Sequence, residues 1–405
     1  MIDDRQNTME ATNDQSSDLS SGASKIEKST GSQKRLADGK SSREKKRSKW
    51  EAKQARRQQQ EVKESERQDW VKVNSSFASH VSEDDIGLIK SDSHSNLFLE
   101  KALAPYFNIQ DRPPTRSDAS CSEEQLFIAE GTETIRLLIN QSSEQILPDM
   151  KPITIKSIFV KPNLLFEPPV LLIDDIEKAI EAKKQNMSET KASPQYHVLV
   201  GSEATLSSVA GFHIARGALA CGVVPLDRDE AWLDDFLRRR FKSKNGGLRL
   251  LVLDGICDTS NLGSMIRCAS VFGIDAVVLS KDCCDAWYRR SIRVSMGHIF
   301  LVPVVRVSNL DAKIRQWNKD FTALISYAAV VDPDADVLLE ELDRGQVPRA
   351  WMCIMGNEGR GISSSVQKAC TKRIRINMVS GVDSLSVPIA TGILLHGLQE
   401  REAKL

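Results

Sequence analysis

Residues 248–280, LRLLVLDGICDTSNLGSMIRCASVFGIDAVVLS, decide the fold of this chain. The run 249–253 is short and almost wholly apolar, the pattern of a strand buried on both faces. Residues 261–272 read as a helix, with Gly273 as its C-cap. Residues 276–279 are a second apolar strand. Strand, helix and strand in this order predict a mostly parallel sheet covered on both faces, with ligands outside the carboxyl ends of the strands.

The alternation continues in both directions. C-terminally, strands are predicted at 301–307, 322–326 and 351–355, and a final helix at 388–402. N-terminally, 229–241 reads as a helix with a basic end, and KSKNGG (242–247) as a hinge. Before it, strands at 126–129, 155–160 and 196–200 alternate with helices at 132–140, 174–184 and 204–209, a second and smaller α/β unit over 121–228. Residues 71–120 are mixed and end in the linker-like DRPPTRSDASCS. Residues 1–70 have almost no apolar side chains, cannot offset their ordering entropy, and are expected to be disordered. The expected organisation is therefore an arm and linker (1–120), a small domain (121–228), a linker helix and hinge (229–247), and a C-terminal domain (248–405).

The length of 405 residues suits this division, and 40 % hydrophobic residues suffice for at least one sizeable core. Lys plus Arg equals Asp plus Glu, 55 each, so the whole-chain charge is zero. Segment by segment it is not: residues 1–33 carry three bases and six acids, and 34–57 carry eleven bases and three acids, a net +8. That block reads as a charged tail, a nuclear-import signal or a phosphate-binding arm, with Lys45, Lys46 and Arg47 at its centre. No apolar run reaches the roughly 18–20 residues of a membrane helix. The N-terminus has no apolar core behind a basic start, which argues against a secretory signal, and its early acids argue against a transit peptide. The eight cysteines form no CxxC pair and no zinc spacing with histidine, so reduced thiols and no metal are expected.

Three loops follow strand ends in the C-terminal domain. The first, 254–267, places Asn261 at the start of a helix and Arg267 nearly two turns deeper. Taken alone, they read as a helix cap and a surface salt-bridge residue. The second, Met355 to Ile362, carries Gly356, Gly359 and Gly361, which let backbone approach a ligand. Its glycine spacing is not that of a dinucleotide loop, no Gly-Lys-Ser/Thr follows, and Glu358 in its middle disfavours a pyrophosphate. Such a loop suits a ligand with hydroxyls and a cationic centre. The third, 374–388, is a strand, a turn at Gly381, and hydroxyl residues opening the last helix.

In this order and spacing the three segments resemble the motifs of the SpoU/TrmH family of SPOUT RNA 2′-O-ribose methyltransferases: NLGSMIRCASVFG (261–273), MGNEGRGIS (355–363) and INMVSGVDSLSVPIATGILL (376–395). RVSMGHIF (293–300) resembles the segment between the first two. More weakly, LFIAEGTETIRLLI, SIFVKPNLLF and VAGFHIARGALACGVVPL look like the ribosomal-protein-like RNA-binding domain that often precedes the catalytic one. The resemblance implies a knotted (trefoil) α/β catalytic domain, S-adenosylmethionine as cofactor, RNA (rRNA or tRNA) as substrate, and a homodimer through the final helix. It implies catalytic roles for Arg267, Asn261, Glu358, Ser384 and Ser386. Met355, Gly356, Asn357, Gly359 and Gly361 would line the cofactor, and Ile376, Met378 and Leu385 flank its adenine. Arg216 joins the basic block as an expected RNA contact. Compartment is expected to be nucleus, nucleolus or cytoplasm, with mitochondrion or plastid as the alternative.

Departures from the family pattern are local. Asn377 replaces a proline, Ser386 an asparagine and Pro388 a serine. Ser386 keeps a donor and an acceptor but loses the amide's reach. The alternative it leaves open is a catalytically weak or inactive RNA-binding or ribosome-assembly factor on the same scaffold.

Overall fold

A computed structural model describes residues 104–106, 109, 124–143, 150–168, 172, 174–176, 178–179, 197–201, 203–214, 217–244, 246–321, 323–342, 347–379 and 385–399. The arm expected at 1–70, and with it Lys45, Lys46 and Arg47, lies outside them, as do Arg216 and Ser384.

The C-terminal part is built on seven strands: β5 (Leu248–Asp254), β6 (Ala276–Leu279), β7 (Val304–Arg306), β8 (Ile325–Ala329), β9 (Val337–Leu338), β10 (Ala350–Gly356) and β11 (Lys372–Arg375). Their order is β7-β6-β5-β10-β8-β11-β9, and every neighbouring pair is parallel. Chain order reverses beside β5: β6 and β7 run out on one side, and β10 returns on the other. Switch points of this kind place a crevice at the carboxyl ends of the strands. Here they are Asp254 and Gly356, adjacent in the β5/β10 register. The central strands β5, β6 and β10 are almost wholly apolar and buried because helices cover both faces. One side buries Leu250, Val252, Met352 and Ile354 under α4 (Glu230–Ser243) and α7 (Leu310–Asp320), with Phe236, Ile314 and Trp317.

The smaller sheet has the order β1-β4-β2-β3, from β1 (Leu126–Glu130), β2 (Ile155–Val160), β3 (His197–Val200) and β4 (Ala218–Val223). Only β2 and β3 are parallel. Helices α1 (Thr132–Ser143), α2 (Pro162–Phe166) and α3 (Glu203–Ala210) belong to this part. Its core includes Phe159, Leu199, Leu206 and Leu219, and also Tyr106 and Ile109. A boundary at residue 121 therefore cuts off two residues the core uses; the Tyr106 hydroxyl donates to the Ser157 carbonyl at 2.9 Å.

Three elements begin or end elsewhere than their pattern suggested. Helix α5 (Thr259–Val271) starts two residues before Asn261, because Asp258 accepts from the Ser260 and Asn261 amides, both at 2.8 Å. The strand expected at 301–307 shrinks to β7, since 298–300 coils into a 3₁₀ turn. The strand expected at 322–326 lies three residues later, as β8. The basic end of α4 also has a structural use. Arg240 and Lys244 both reach the buried Asp275 carboxylate, at 3.0 and 2.6 Å, pinning the stretch read as a hinge to the start of β6.

A short helix, α6 (Arg289–Val294), joins the two sheets. Arg289 pairs with Glu130 at 2.7 Å, and Phe127 of β1 packs against Trp287 and Phe300 with ring centroids 5.1 and 5.5 Å apart. On its other flank α6 meets α5 so closely that a Cβ on Gly263 would sit 2.5 Å from the Ser291 carbonyl oxygen.

Candidate functional site

A cavity of about 750 Å³ opens at the carboxyl ends of β10 and β8. The glycine loop forms one wall. It folds on itself through two backbone hydrogen bonds, Asn357 to Gly361 at 3.1 Å and Gly361 to Asn357 at 2.8 Å. The Asn357 side chain staples it: Oδ1 accepts from the Gly359 and Arg360 amides at 2.9 and 3.1 Å, and Nδ2 donates to the Gly255 carbonyl at 2.9 Å. Glycine at 356 is obligatory, since a Cβ there would lie 2.2 Å from the Gly361 carbonyl carbon. Gly361 has φ +67°, the left-handed region where glycine has no steric cost. Asp254, at the end of β5, accepts from the Ser363 amide at 2.8 Å and closes the loop's far end.

The opposite wall comes from the segment after β11 and, beyond the short α8 (Ser364–Gln367), from the start of α9 (Val387–Gly397). Ile376, Met378 and Leu385 present apolar surface to the cavity, with Val387, Ala390 and Leu394 beneath. Ser386 is the N-cap residue of α9, yet its side chain makes no capping hydrogen bond; it lines the cavity instead. Asn377, where the family pattern has proline, puts its recovered N–H to use: it donates to both carboxylate oxygens of Glu340, at 3.1 and 3.2 Å.

Most site residues expected from sequence thus converge here. Met355, Gly356, Asn357, Glu358, Gly359, Gly361, Ile376, Met378, Leu385 and Ser386 all line the cavity. Asn261 reaches it from α5: with Asp258 capping the helix, its amide is free to donate to the Glu358 carboxylate. Arg267 does not join them within this chain. It is exposed, lines no part of the cavity, and makes no ion pair among the described residues. Its charge is felt at His298, whose imidazole is held below its ordinary pKa by burial and by Arg267. Sequence reasoning missed the wall at the end of β8, Val330 to Asp332; a strand's carboxyl end in a parallel sheet was the available signal.

The chemistry on offer is polar positioning around an apolar slot. Burial pushes the nearby Cys353 and Cys370 thiols up to about 12, so neither is a thiolate nucleophile at neutral pH. Among the described residues no group of three His, Cys, Asp or Glu could hold a metal ion, no disulfide links the cysteines, and no helix is long and apolar enough to cross a membrane.

The chain is similar to known proteins in sequence and in fold. The model of the SpoU rRNA Methylase family matches residues 249–396. An uncharacterized tRNA/rRNA methyltransferase of Mycobacterium tuberculosis is 32 % identical over 192 residues, 47 % of this chain and 62 % of that protein, so the match spans under two thirds of this relative. An uncharacterized tRNA/rRNA methyltransferase of Archaeoglobus fulgidus is 32 % identical over 162 residues, 40 % of this chain and 68 % of that one. The 23S rRNA (guanosine-2′-O-)-methyltransferase of Salmonella typhi is 32 % identical over 146 residues, 36 % of this chain and 57 % of that one. In fold, the chain is similar to the SpoU methyltransferase AviRb from Streptomyces viridochromogenes, with TM-score 0.51, 16 % identity, and 74 % of this chain and 96 % of that chain covered. The glycine loop, the polar link from α5 and the parallel sheet that brings them together therefore have one common explanation: the chain belongs to the SpoU rRNA methylase family.

Proposed function

We propose that this protein transfers a methyl group from S-adenosylmethionine to a ribose 2′-hydroxyl of structured RNA. The observation that carries the reading is the Asn261–Glu358 hydrogen bond, which ties the first motif to the glycine loop at the rim of the cavity. The residues fit the cofactor's chemistry. Ile376, Met378 and Leu385 offer apolar walls to an adenine, the Gly356–Gly361 cradle admits a ligand against backbone, and the Glu358 carboxylate complements a cationic centre. Bound there, S-adenosylmethionine supplies a methyl group already activated on a sulfonium.

What remains for the chain is to align the acceptor and to stabilise its oxygen as its proton passes to solvent water. Asn261 and Glu358 hold each other and set the rim. Arg267 stabilises the incipient alkoxide: its guanidinium offers N–H donors and no acceptor, which suits it to that and not to taking up the proton. Because Arg267 stands off the cavity of its own chain, the complete site belongs to a homodimer. The apolar residues Ile389 and Ile393, one turn apart on α9, and Val271 at the end of α5 are 57 %, 38 % and 61 % exposed, the surface such a dimer covers. The C-terminal segment from β10 onward is proposed to be the knotted part: β11 forms beyond β8, and α9 returns against α5 and β10.

A second reading, a binding factor that does not methylate, is favoured by Ser386 at the cavity wall where the family has asparagine. Incubating labelled S-adenosylmethionine and ribosomal or transfer RNA with wild type and Arg267→Ala separates the two. Transfer by wild type that Arg267→Ala abolishes supports methylation. Cofactor binding without transfer supports the binding factor.

A further inference from the structure

Helix α6 bridges the small sheet and the catalytic helix α5, and its side chains divide by face. Ser291, Val294 and Ser295 lie against Gly263 of α5. Arg289 turns the other way, to Glu130 at 2.7 Å and over the Phe212 ring at 4.3 Å. Arg293 reaches the same Glu130 only at 3.6 Å and keeps its side chain 46 % exposed. Arg290 falls between the two faces, is exposed, and makes no ion pair among the described residues. Arg267 lies one turn beyond Gly263 on α5, and its charge is felt at His298, in the turn that follows α6.

The charge along this face is one-sided. Neither α5 (259–271) nor the stretch 286–301 contains a single Asp or Glu, while together they hold Arg267, Arg289, Arg290 and Arg293. Glu130 offsets part of that charge from the side of the small sheet. Among the described residues, no hydrogen bond or ion pair needs Arg290 to be basic. What remains is a basic ridge across α6 to Arg267, with Glu130 as the acid at its β1 end. A chain of regularly spaced negative charges is its electrostatic complement.

We infer that the α5–α6 ridge is a track for the RNA phosphate backbone, with Arg290 as its central contact and Arg293 beside it, feeding the nucleotide to be methylated toward Arg267. The inference rests on the reading of the protein as an RNA methyltransferase and names contacts distinct from the basic block at 34–57. The ridge contacts phosphates rather than base edges, so it contributes affinity without sequence preference.

The test uses the full-length chain and a fluorescently labelled ribosomal RNA stem–loop. Affinity is measured against salt for wild type, Arg290→Gln and, as a control arginine that is already ion-paired, Arg238→Gln of α4, whose side chain meets Asp235 at 3.2 Å. Loss of one phosphate contact lowers the slope of log affinity against log salt by about one for Arg290→Gln, and leaves Arg238→Gln at the wild-type slope. S-adenosylmethionine binding, followed by calorimetry, stays at the wild-type level in Arg290→Gln and reports that the variant is folded. Equal slopes for wild type and Arg290→Gln, or equal losses in the two variants, overturn the track while leaving methylation standing. A wild type that binds cofactor but no RNA at any salt overturns the functional reading itself, and the track with it.

Discussion

The Asn261 side-chain amide donates to the Glu358 carboxylate across 97 residues of sequence, joining the first turn of α5 to the glycine loop after β10. Neither residue is needed to hold its own element together. Asp258 caps the helix, and Asn357 staples the loop. The pair is thus spared for the site. Asn261→Asp sets two carboxylates against each other at the rim. Steady-state methyl transfer is expected to fall on the order of 10²-fold, with little change in melting temperature because both groups are at the surface.

Gly356→Ala puts a Cβ within 2.2 Å of the Gly361 backbone and forces the loop open. The expected cost is about 1–3 kcal/mol of stability, with cofactor affinity lowered more than about tenfold in calorimetry, since the cradle itself moves. Gly359→Ala is the contrast: its nearest neighbour is 3.6 Å away, so binding stays close to wild type.

Glu340→Ala removes the acceptor of the Asn377 amide and loosens the wall that carries Ile376 and Met378. The expected outcome is a rise in the KM for S-adenosylmethionine of a few-fold with kcat nearly unchanged. A fall in kcat alone contradicts a role in holding that wall.

Ile393→Glu places a charge on the apolar stripe of α9. Sedimentation velocity is expected to show a dimer for wild type and a monomer for the variant, with methyl transfer lost in step with the dimer. A monomeric wild type refutes the shared site.

His298 supplies a pH signature. Burial, and then the Arg267 charge, lower its pKa below the ordinary 6.5, so protonation is easier in the unfolded chain than in the folded one. Its contribution to stability is present above pH 6.5 and is lost as the pH falls through the folded-state value. Denaturant melts of His298→Gln are expected to match the wild-type trend above that pH and to lose less stability below it.

Much of this was legible in the chain. The apolar runs at 249–253, 276–279 and 351–355 became β5, β6 and β10, because strands buried on both faces must be apolar throughout. The glycine loop announced itself by residue type. Helix α7 was equally visible and went unread: Asn309 caps it, and Leu310, Ile314 and Trp317 mark its buried face at helical spacing. Strand β4, ALACGV, was hidden by its small residues; a Cβ on Gly222 would lie 2.4 Å from the Phe127 ring, a constraint set by a neighbouring strand.

The sequence by itself determined the parallel α/β class, the balance of charge concealing a basic block, and the residue types of the site, because periodicity and composition are local properties. Only the tertiary structure decided that β10 inserts between β5 and β8, which sets Gly356 beside Asp254 and brings Asn261 to Glu358. It alone separated Arg267 from the cavity and aligned α6 between the two sheets. Strand order and helix packing arise from contacts distant in sequence, and no local pattern encodes which of several equally apolar strands will be neighbours.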